Sequence, residues 1–400
     1  MKTISIAVTV LLLTFTAQRT VSAMSISFEN NMNRAVVPVE LCDNILLIRA
    51  SVNGSVPGWF IFDTGAGYTL LDSTFAVKNG IDINGHVISK SSGKQVRASN
   101  NIVIKVGGAV LSGADARIAD AFALSSVIGR KIDGILGYDL LSQFVVEVNY
   151  INKQITFFHP DNFTYSGNGK MQKLQVKNNW PYVNVKAIQQ NKHIEGPIIL
   201  DIGGLLAISM NNSALAGQTI EFPFSFGING AGGASLRGRL DSLTIAGIPV
   251  PFPITGFPAG DSDASDHLST LISENGLGTV GGELMKKFTF TFNYRDSLVF
   301  IEPNRLLPEI TELDMSGLMA MTVDSAFRSF MIIAVIPMSP AHEIGLQPSD
   351  ELLSIDGNPA SGYTLSEIRS LFKVPDRKYM LEVKRGNEIL YRILITRQLI

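Results

Sequence analysis

Residues 137–150 and 281–294 can be laid over one another without a gap, and this self-similarity constrains the fold more than any other feature of the chain. Leu140 falls on Leu284, Phe144 on Phe288, Val146 on Phe290 and Val148 on Phe292, while Asn149-Tyr150 falls on Asn293-Tyr294. Apolar positions that alternate in this way mark half-buried strands, and each copy runs on to a proline, Pro160 and Pro303. The repeat also extends upstream. Trp59-Phe60-Ile61-Phe62-Asp63-Thr64-Gly65-Ala66 and Pro197-Ile198-Ile199-Leu200-Asp201-Ile202-Gly203-Gly204 are apolar runs that each deliver one aspartate into a glycine-bearing turn. Gly58 and Gly196 each stand five residues before their aspartate. Two units of one plan imply a pseudo-twofold arrangement with the two aspartate loops facing each other.

The elements between these landmarks read as mainly β. In the first unit, Ile45–Val52 enters a turn at Asn53-Gly54, Phe60–Phe62 leads into the Asp63 loop, and Ile102–Val106 forms one arm of a hairpin that turns at Ser91–Lys94. Ile132–Gly137 is a short apolar strand, Tyr138–Phe144 has the spacing of a helical turn or two, and Val145–Phe158 alternates as a hairpin. The polar, glycine-bearing stretch 162–172 suits a connection between lobes. The second pass repeats the order, with Tyr182–Ile188 as a strand and the glycine-rich Gly227–Gly238 as a flexible flap. From about Leu313 the texture changes to strands, a helix-like Leu365–Phe372 and two closing strands around Arg385-Gly386-Asn387, after a linker at Leu306–Glu309. The chain therefore divides into lobes 24–165 and 166–305 and a smaller α+β domain, 313–400.

Charge and composition narrow the function. The 33 Lys plus Arg residues balance 35 Asp plus Glu, so no basic field invites nucleic acid or anionic lipid. Residues 1–23 have the form of an export signal: Lys2, an apolar run Ile4–Thr14, then Val21-Ser22-Ala23 before the cut. That run is shorter than the ~20 residues of a membrane-spanning helix, so the expectation is an exported protein, periplasmic or extracellular and of bacterial type, without a stable membrane span. Cys42 is the only cysteine, so no internal disulfide forms and stability must come from burial. The five histidines are scattered without ligand spacing, and neither a metal nor a cofactor is expected.

Two carboxylates held face to face cannot both ionise readily. They share a proton and act together as acid and base toward a water between them, which suits hydrolysis. On Phe62-Asp63-Thr64-Gly65-Ala66, on Ile135-Leu136-Gly137 and on their second copies ending in Thr279-Val280-Gly281, residues 40–305 resemble a two-lobed aspartic protease of the pepsin and retropepsin kind. The resemblance implies a catalytic pair Asp63 and Asp201, loops shaped by Thr64, Gly65, Ile202 and Gly203, and a polypeptide substrate held extended in the cleft between lobes, beneath a hairpin flap. Ile202 stands where that family has threonine or serine, whose hydroxyl bonds across to the opposite loop. Two function classes follow: an active endopeptidase, and a peptide-binding protein of the same fold that does not cut.

The C-terminal domain resembles a PDZ domain on Ser339-Pro340-Ala341, Gly345-Leu346, Asp350 and Ile355-Asp356-Gly357. That resemblance implies a loop at Gly317, Leu318 and Met319 whose backbone N–H groups receive a peptide's terminal carboxylate, the peptide adding as a strand to the sheet edge.

Overall fold

The computed structural model describes residues 24–88, 95–211, 215–223, 235–258 and 276–400. The export signal at 1–23, the Ser91–Lys94 turn and most of the Gly227–Gly238 flap lie outside the described residues.

The repeat read in the sequence is also the seam of the molecule. Strands Val145–Asn149 and Phe288–Asn293 pair antiparallel, flanked by their hairpin partners Gln154–Phe158 and Leu298–Pro303. Val145 faces Asn293, Glu147 faces Thr291 and Asn149 faces Thr289. In the self-alignment 145 corresponds to 289, 147 to 291 and 149 to 293, so exchanging the two copies leaves the pairing unchanged. A pseudo-twofold axis therefore passes between Glu147 and Thr291. The inward residues on this seam, among them Val146, Val148, Phe288, Phe290 and Phe292, are buried in one apolar core that serves both lobes.

The strand carrying each aspartate is wedged in the same way. Gly58–Phe62 runs parallel to Gly134–Leu136, with Phe62 opposite Leu136, and Lys192–Asp201 runs parallel to Gly278–Gly281, with Leu200 opposite Val280. Parallel neighbours need a long crossover. The expected first hairpin forms between Gly85–Ile88 and Gln95–Val106, and its counterpart between Thr219–Phe222 and Ser235–Arg239.

Two stretches read as connections are more ordered than expected. Lys170–Lys173 is a strand that pairs with Leu298–Ile301 and extends the central sheet, because its backbone finds an open edge there. Lys287 Nζ donates to the carbonyls of Leu306, Leu307 and Glu309, and Arg239 binds Thr311 O (2.9 Å) and Glu312 (2.8 Å). The linker is thereby fastened to the second lobe.

The C-terminal domain is a sheet of strands Leu318–Thr322, Phe330–Val335, Glu351–Ile355, Lys378–Arg385 and Glu388–Ile395 around its own core of Phe330, Ile332, Leu352, Ile368 and Tyr379. A capping box, Thr364 with Glu367, starts the helix Leu365–Leu371. The domain does not hang free. Leu318–Thr322, at the edge of its sheet, packs against the first lobe's helix Phe122–Ile128, with Thr322 Oγ1 donating to Ser126 O at 3.1 Å. Arg369 reaches Val127 O (2.9 Å), Ala320 O (3.3 Å) and Asp43 Oδ2 (2.7 Å), and Ser366 Oγ donates to Asp43 Oδ1 at 2.8 Å.

Candidate active site

The two aspartate loops meet at the pseudo-twofold axis, and glycine decides how closely. A side-chain carbon on Gly65 would run into the Asp201 carboxylate, and one on Gly203 into the Asp63 carboxylate. Each loop is bare where the opposite carboxylate arrives, which no larger residue permits. Gly137 and Gly281 complete the turn from behind. A side chain on Gly137 would strike the carbonyls of Ala66 and Tyr68, and one on Gly281 those of Gly204 and Leu206. The neighbouring amides close the loops by equivalent bonds, Tyr138 N to Ala66 O (2.9 Å) and Gly282 N to Gly204 O (2.8 Å).

The two carboxylates are not equivalent. Asp63 is buried, and its Oδ1 accepts from Gly65 N (2.7 Å) and Gly203 N (3.2 Å). Asp201 is partly exposed, and its Oδ1 has no hydrogen-bond partner among the described residues. Burial raises both carboxyls, but Asp201 is driven well above the ordinary carboxylate range because it also faces the charge of Asp63. For Asp63, a hydrogen bond from Asp201 and the two amides work against the rise. Both carboxyls are raised, Asp201 the further, so the pair holds a proton above the ordinary carboxylate range.

Thr64 supplies two further bonds between the loops, beside the one from Gly203 N to Asp63. Its Oγ1 donates to Leu200 O at 2.6 Å and accepts from Ile202 N at 3.0 Å, both across the lobe boundary. Ile202 is fully buried and packs in the shared core, with no oxygen to return these bonds. The half of the interlobe link that the first lobe supplies is intact, and only the reciprocal half is missing.

Sequence reasoning gave no role to Tyr150 and Tyr294, although they are equivalent positions of the repeat. Both are buried, and neither hydroxyl has a partner among the described residues. Burial, and after it the charges of Asp201 and Asp63, push the Tyr150 phenol upward. Asp139 was also missed. It accepts from Thr69 N (2.9 Å) and Thr69 Oγ1 (2.7 Å), pinning the strand that leaves the Asp63 loop.

At the C-terminal domain the loop expected to receive a peptide carboxylate is already engaged. Ser316 N (2.8 Å) and Gly317 N (3.1 Å) donate to Asp314 Oδ1, as does the Ser316 hydroxyl, and Leu318 N donates to Ser316 Oγ at 3.0 Å. Asp314 thus takes the amides of Ser316 and Gly317, and the Ser316 hydroxyl that of Leu318. Met319 lies on the edge strand that faces the first lobe.

Comparison with known proteins gives the same two units. An aspartyl protease family model matches residues 48–140, which include Asp63 and Gly137, and a PDZ domain model matches residues 331–385. The chain joins an aspartyl protease domain to a C-terminal PDZ domain. It is 38% identical over 71 residues to a Clostridium perfringens protein named as a zinc metalloprotease, an alignment covering 18% of this chain and 21% of that protein. It is 33% identical over 90 residues to a carboxyl-terminal-processing protease of Synechocystis, covering 22% of this chain and 21% of the relative. The chain thus spans about a fifth of the length of these curated relatives. Both are named as proteases, and neither name states an aspartic mechanism. Among the described residues no three His, Cys, Asp or Glu side chains converge as metal ligands would.

Proposed function

We propose that this chain is an exported aspartic endopeptidase in which Asp63 and Asp201 activate a water for peptide-bond hydrolysis. The observation that carries the reading is the reciprocal fit of the two loops, each with a glycine where the other lobe's carboxylate arrives. In the reaction, a water between the carboxyls gives a proton to ionised Asp63 and attacks the scissile carbonyl. Protonated Asp201 hydrogen-bonds the carbonyl oxygen as it gains charge, and the tetrahedral intermediate collapses as the leaving nitrogen takes a proton. Thr64 holds both loops at reacting distance, and Gly65 and Gly203 leave room for the carboxyls. The substrate is a polypeptide lying in the cleft between lobes. Export to a periplasm or the cell exterior belongs to the same proposal and rests on residues 1–23.

A second reading has a specific observation behind it. Ile202 cannot return the hydroxyl bonds of Thr64, and a looser second loop turns the cleft into a peptide-binding site that does not cut. Incubating the protein with a diverse peptide library and reading new termini by mass spectrometry separates the two. New termini that vanish in both Asp63→Asn and Asp201→Asn support the endopeptidase. Binding without new termini at any pH supports the second reading.

A further inference from the structure

Asp139 and Glu283 are equivalent positions of the repeat, two residues past Gly137 and Gly281, yet they bind in different directions. Asp139 is spent within its own lobe on Thr69, six residues after Asp63. The counterpart six residues after Asp201 is Ala207, which has no hydroxyl to offer. Glu283 turns instead to the first lobe. It is buried, and its Oε2 accepts from Asn44 Nδ2. Lys286 Nζ, which pairs with Glu283 Oε1 at 2.5 Å, also donates to Asn44 Oδ1 at 3.2 Å. Both ends of the Asn44 amide are thus engaged across the lobe boundary. The approach is possible because Gly282 stands where the first unit has Tyr138, and a side-chain carbon there would run into the Asn44 carbonyl. Gly282 N in turn closes the Asp201 loop by donating to Gly204 O at 2.8 Å.

The strand register gives this clasp a partner across the pseudo-twofold axis. Leu47 faces Ile61 and Tyr182 faces Ile199, and Ile61 and Ile199 each stand two residues before their aspartate, so Asn44 and Asn179 are equivalent. Asn179 Nδ2 donates to Gly67 O at 3.0 Å, from the second lobe to the loop that follows Asp63. The two clasps differ in strength. The one at Gly67 is a single neutral bond, whereas the one at Glu283 joins an amide to a buried carboxylate and an ammonium, and charge-assisted bonds away from water are the stronger. The stronger clasp grips the loop of Asp201, where Ile202 returns no bond to Thr64. The turn that carries Asn44 is itself held. Asp43, at a left-handed φ of 53°, takes Arg369 at 2.7 Å and Ser366 Oγ at 2.8 Å, both from the PDZ helix Leu365–Leu371.

We propose that Asn44 is a positioning residue for Asp201: held by the PDZ helix through Asp43, it fixes the helical turn Gly282–Met285 and with it the loop that closes onto that turn. The consequence for catalysis rests on the endopeptidase reading, whereas the brace is a feature of the fold that can be measured without cleavage.

Amide exchange in the full chain keeps the two apart. The N–H groups of Ile202 and Gly203 donate to Thr64 Oγ1 and Asp63 Oδ1, so their exchange reports the placement of the second loop with no substrate present. Asn44→Asp keeps a residue suited to the turn but sets a carboxylate against Glu283, and is expected to speed exchange at both amides about tenfold or more. Adding Glu283→Gln returns a donor to the pair and is expected to restore slow exchange, which a general loss of stability would not allow. Asn44→Ala removes both bonds without adding charge; it is expected to act in the same direction and decides the matter if Asn44→Asp does not fold. Asp43→Ala, which frees the turn from the PDZ helix, is expected to speed the same amides about threefold or more. In cleavage of a peptide that the natural chain cuts, Asn44→Asp is expected to lower kcat about tenfold with KM unchanged, and the added Glu283→Gln to restore it. Unchanged exchange in the Asn44 variants, no recovery on adding Glu283→Gln, no effect of Asp43→Ala, or faster exchange with kcat unaltered overturns the proposal. Exchange as expected in a chain that cuts no peptide supports the brace while contradicting the endopeptidase reading.

Discussion

Replacing Thr64 by valine removes one oxygen and leaves the shape of the side chain almost unchanged, so the cost isolates the interlobe link. The hydroxyl donates to Leu200 O and accepts from Ile202 N, and it is buried, so no water replaces it. Losing two net hydrogen bonds while stranding a buried carbonyl and a buried amide costs roughly 2–5 kcal/mol. That is a large part of the ~5–15 kcal/mol that holds most domains folded. Thr64→Ser keeps the oxygen and loses one methyl, at about 1 kcal/mol. Urea unfolding followed through Trp59 and Trp180, one in each lobe, measures both variants in the shared core. In peptide cleavage, valine is expected to lower kcat by about 100-fold through misplacement of the carboxyls, and serine by much less. Equal costs for valine and serine in stability and in rate would refute the role of the Thr64 hydroxyl in joining the loops.

Other consequences follow from the same contacts. Gly203→Ala puts a carbon where the Asp63 carboxylate lies and should lower kcat by about 100-fold or more while circular dichroism remains that of a folded β protein. Burial pushes Asp314 up to about 6 from an ordinary 3.8, so the folded chain holds a proton there that the unfolded chain releases. Stability therefore falls as pH rises from about 4 to 6, by ~3 kcal/mol, and levels off above. Asp314→Asn, which keeps the acceptor for Ser316 and Gly317, should match the natural protein near pH 4 and exceed it near pH 7, as calorimetry reads; a difference that is flat with pH contradicts this. Arg369→Ala should speed amide exchange in both Phe122–Ile128 and Leu318–Thr322, with a coupling to Asp43→Ala of roughly 1–2 kcal/mol in a double-mutant cycle; unchanged exchange contradicts the docking.

The parts of the fold legible in the sequence were those set by local pattern and by repetition. Period-two alternation over Val145–Asn149 and Phe288–Asn293 marked the strands, and their identical spacing after Gly137 and Gly281 implied a pseudo-twofold arrangement, although not that the two strands themselves pair at its axis. The Asp63 loop was legible because the turn requires glycine. What stayed hidden depends on surfaces brought together from far apart. Ile202 read as the loss of a link, yet Thr64 makes both of its own bonds, to the Leu200 carbonyl and from the Ile202 amide, and neither depends on the Ile202 side chain. Gly317 and Leu318 read as a carboxylate receptor, but nothing in that stretch announces that Asp314 takes the Gly317 amide and the Ser316 hydroxyl that of Leu318. Nor does a separate run of PDZ-like residues indicate that a helix of the first lobe covers its edge strand.

The central claim is that two carboxylates from two lobes share a proton and cut peptide bonds. The most direct measurement is cleavage of a peptide library from pH 3 to 8 by the natural chain, by Asp63→Asn and by Asp201→Asn, read as new termini by mass spectrometry. Activity needs Asp63 ionised and Asp201 protonated, and both carboxyls are raised, so the active window should lie above the ordinary carboxylate pKa and close on its alkaline side as Asp201 loses its proton. The expected result is a bell-shaped pH profile for the natural chain and no new termini with either variant, both remaining folded. Full cleavage by either variant, or none by the natural chain at any pH, would contradict the account.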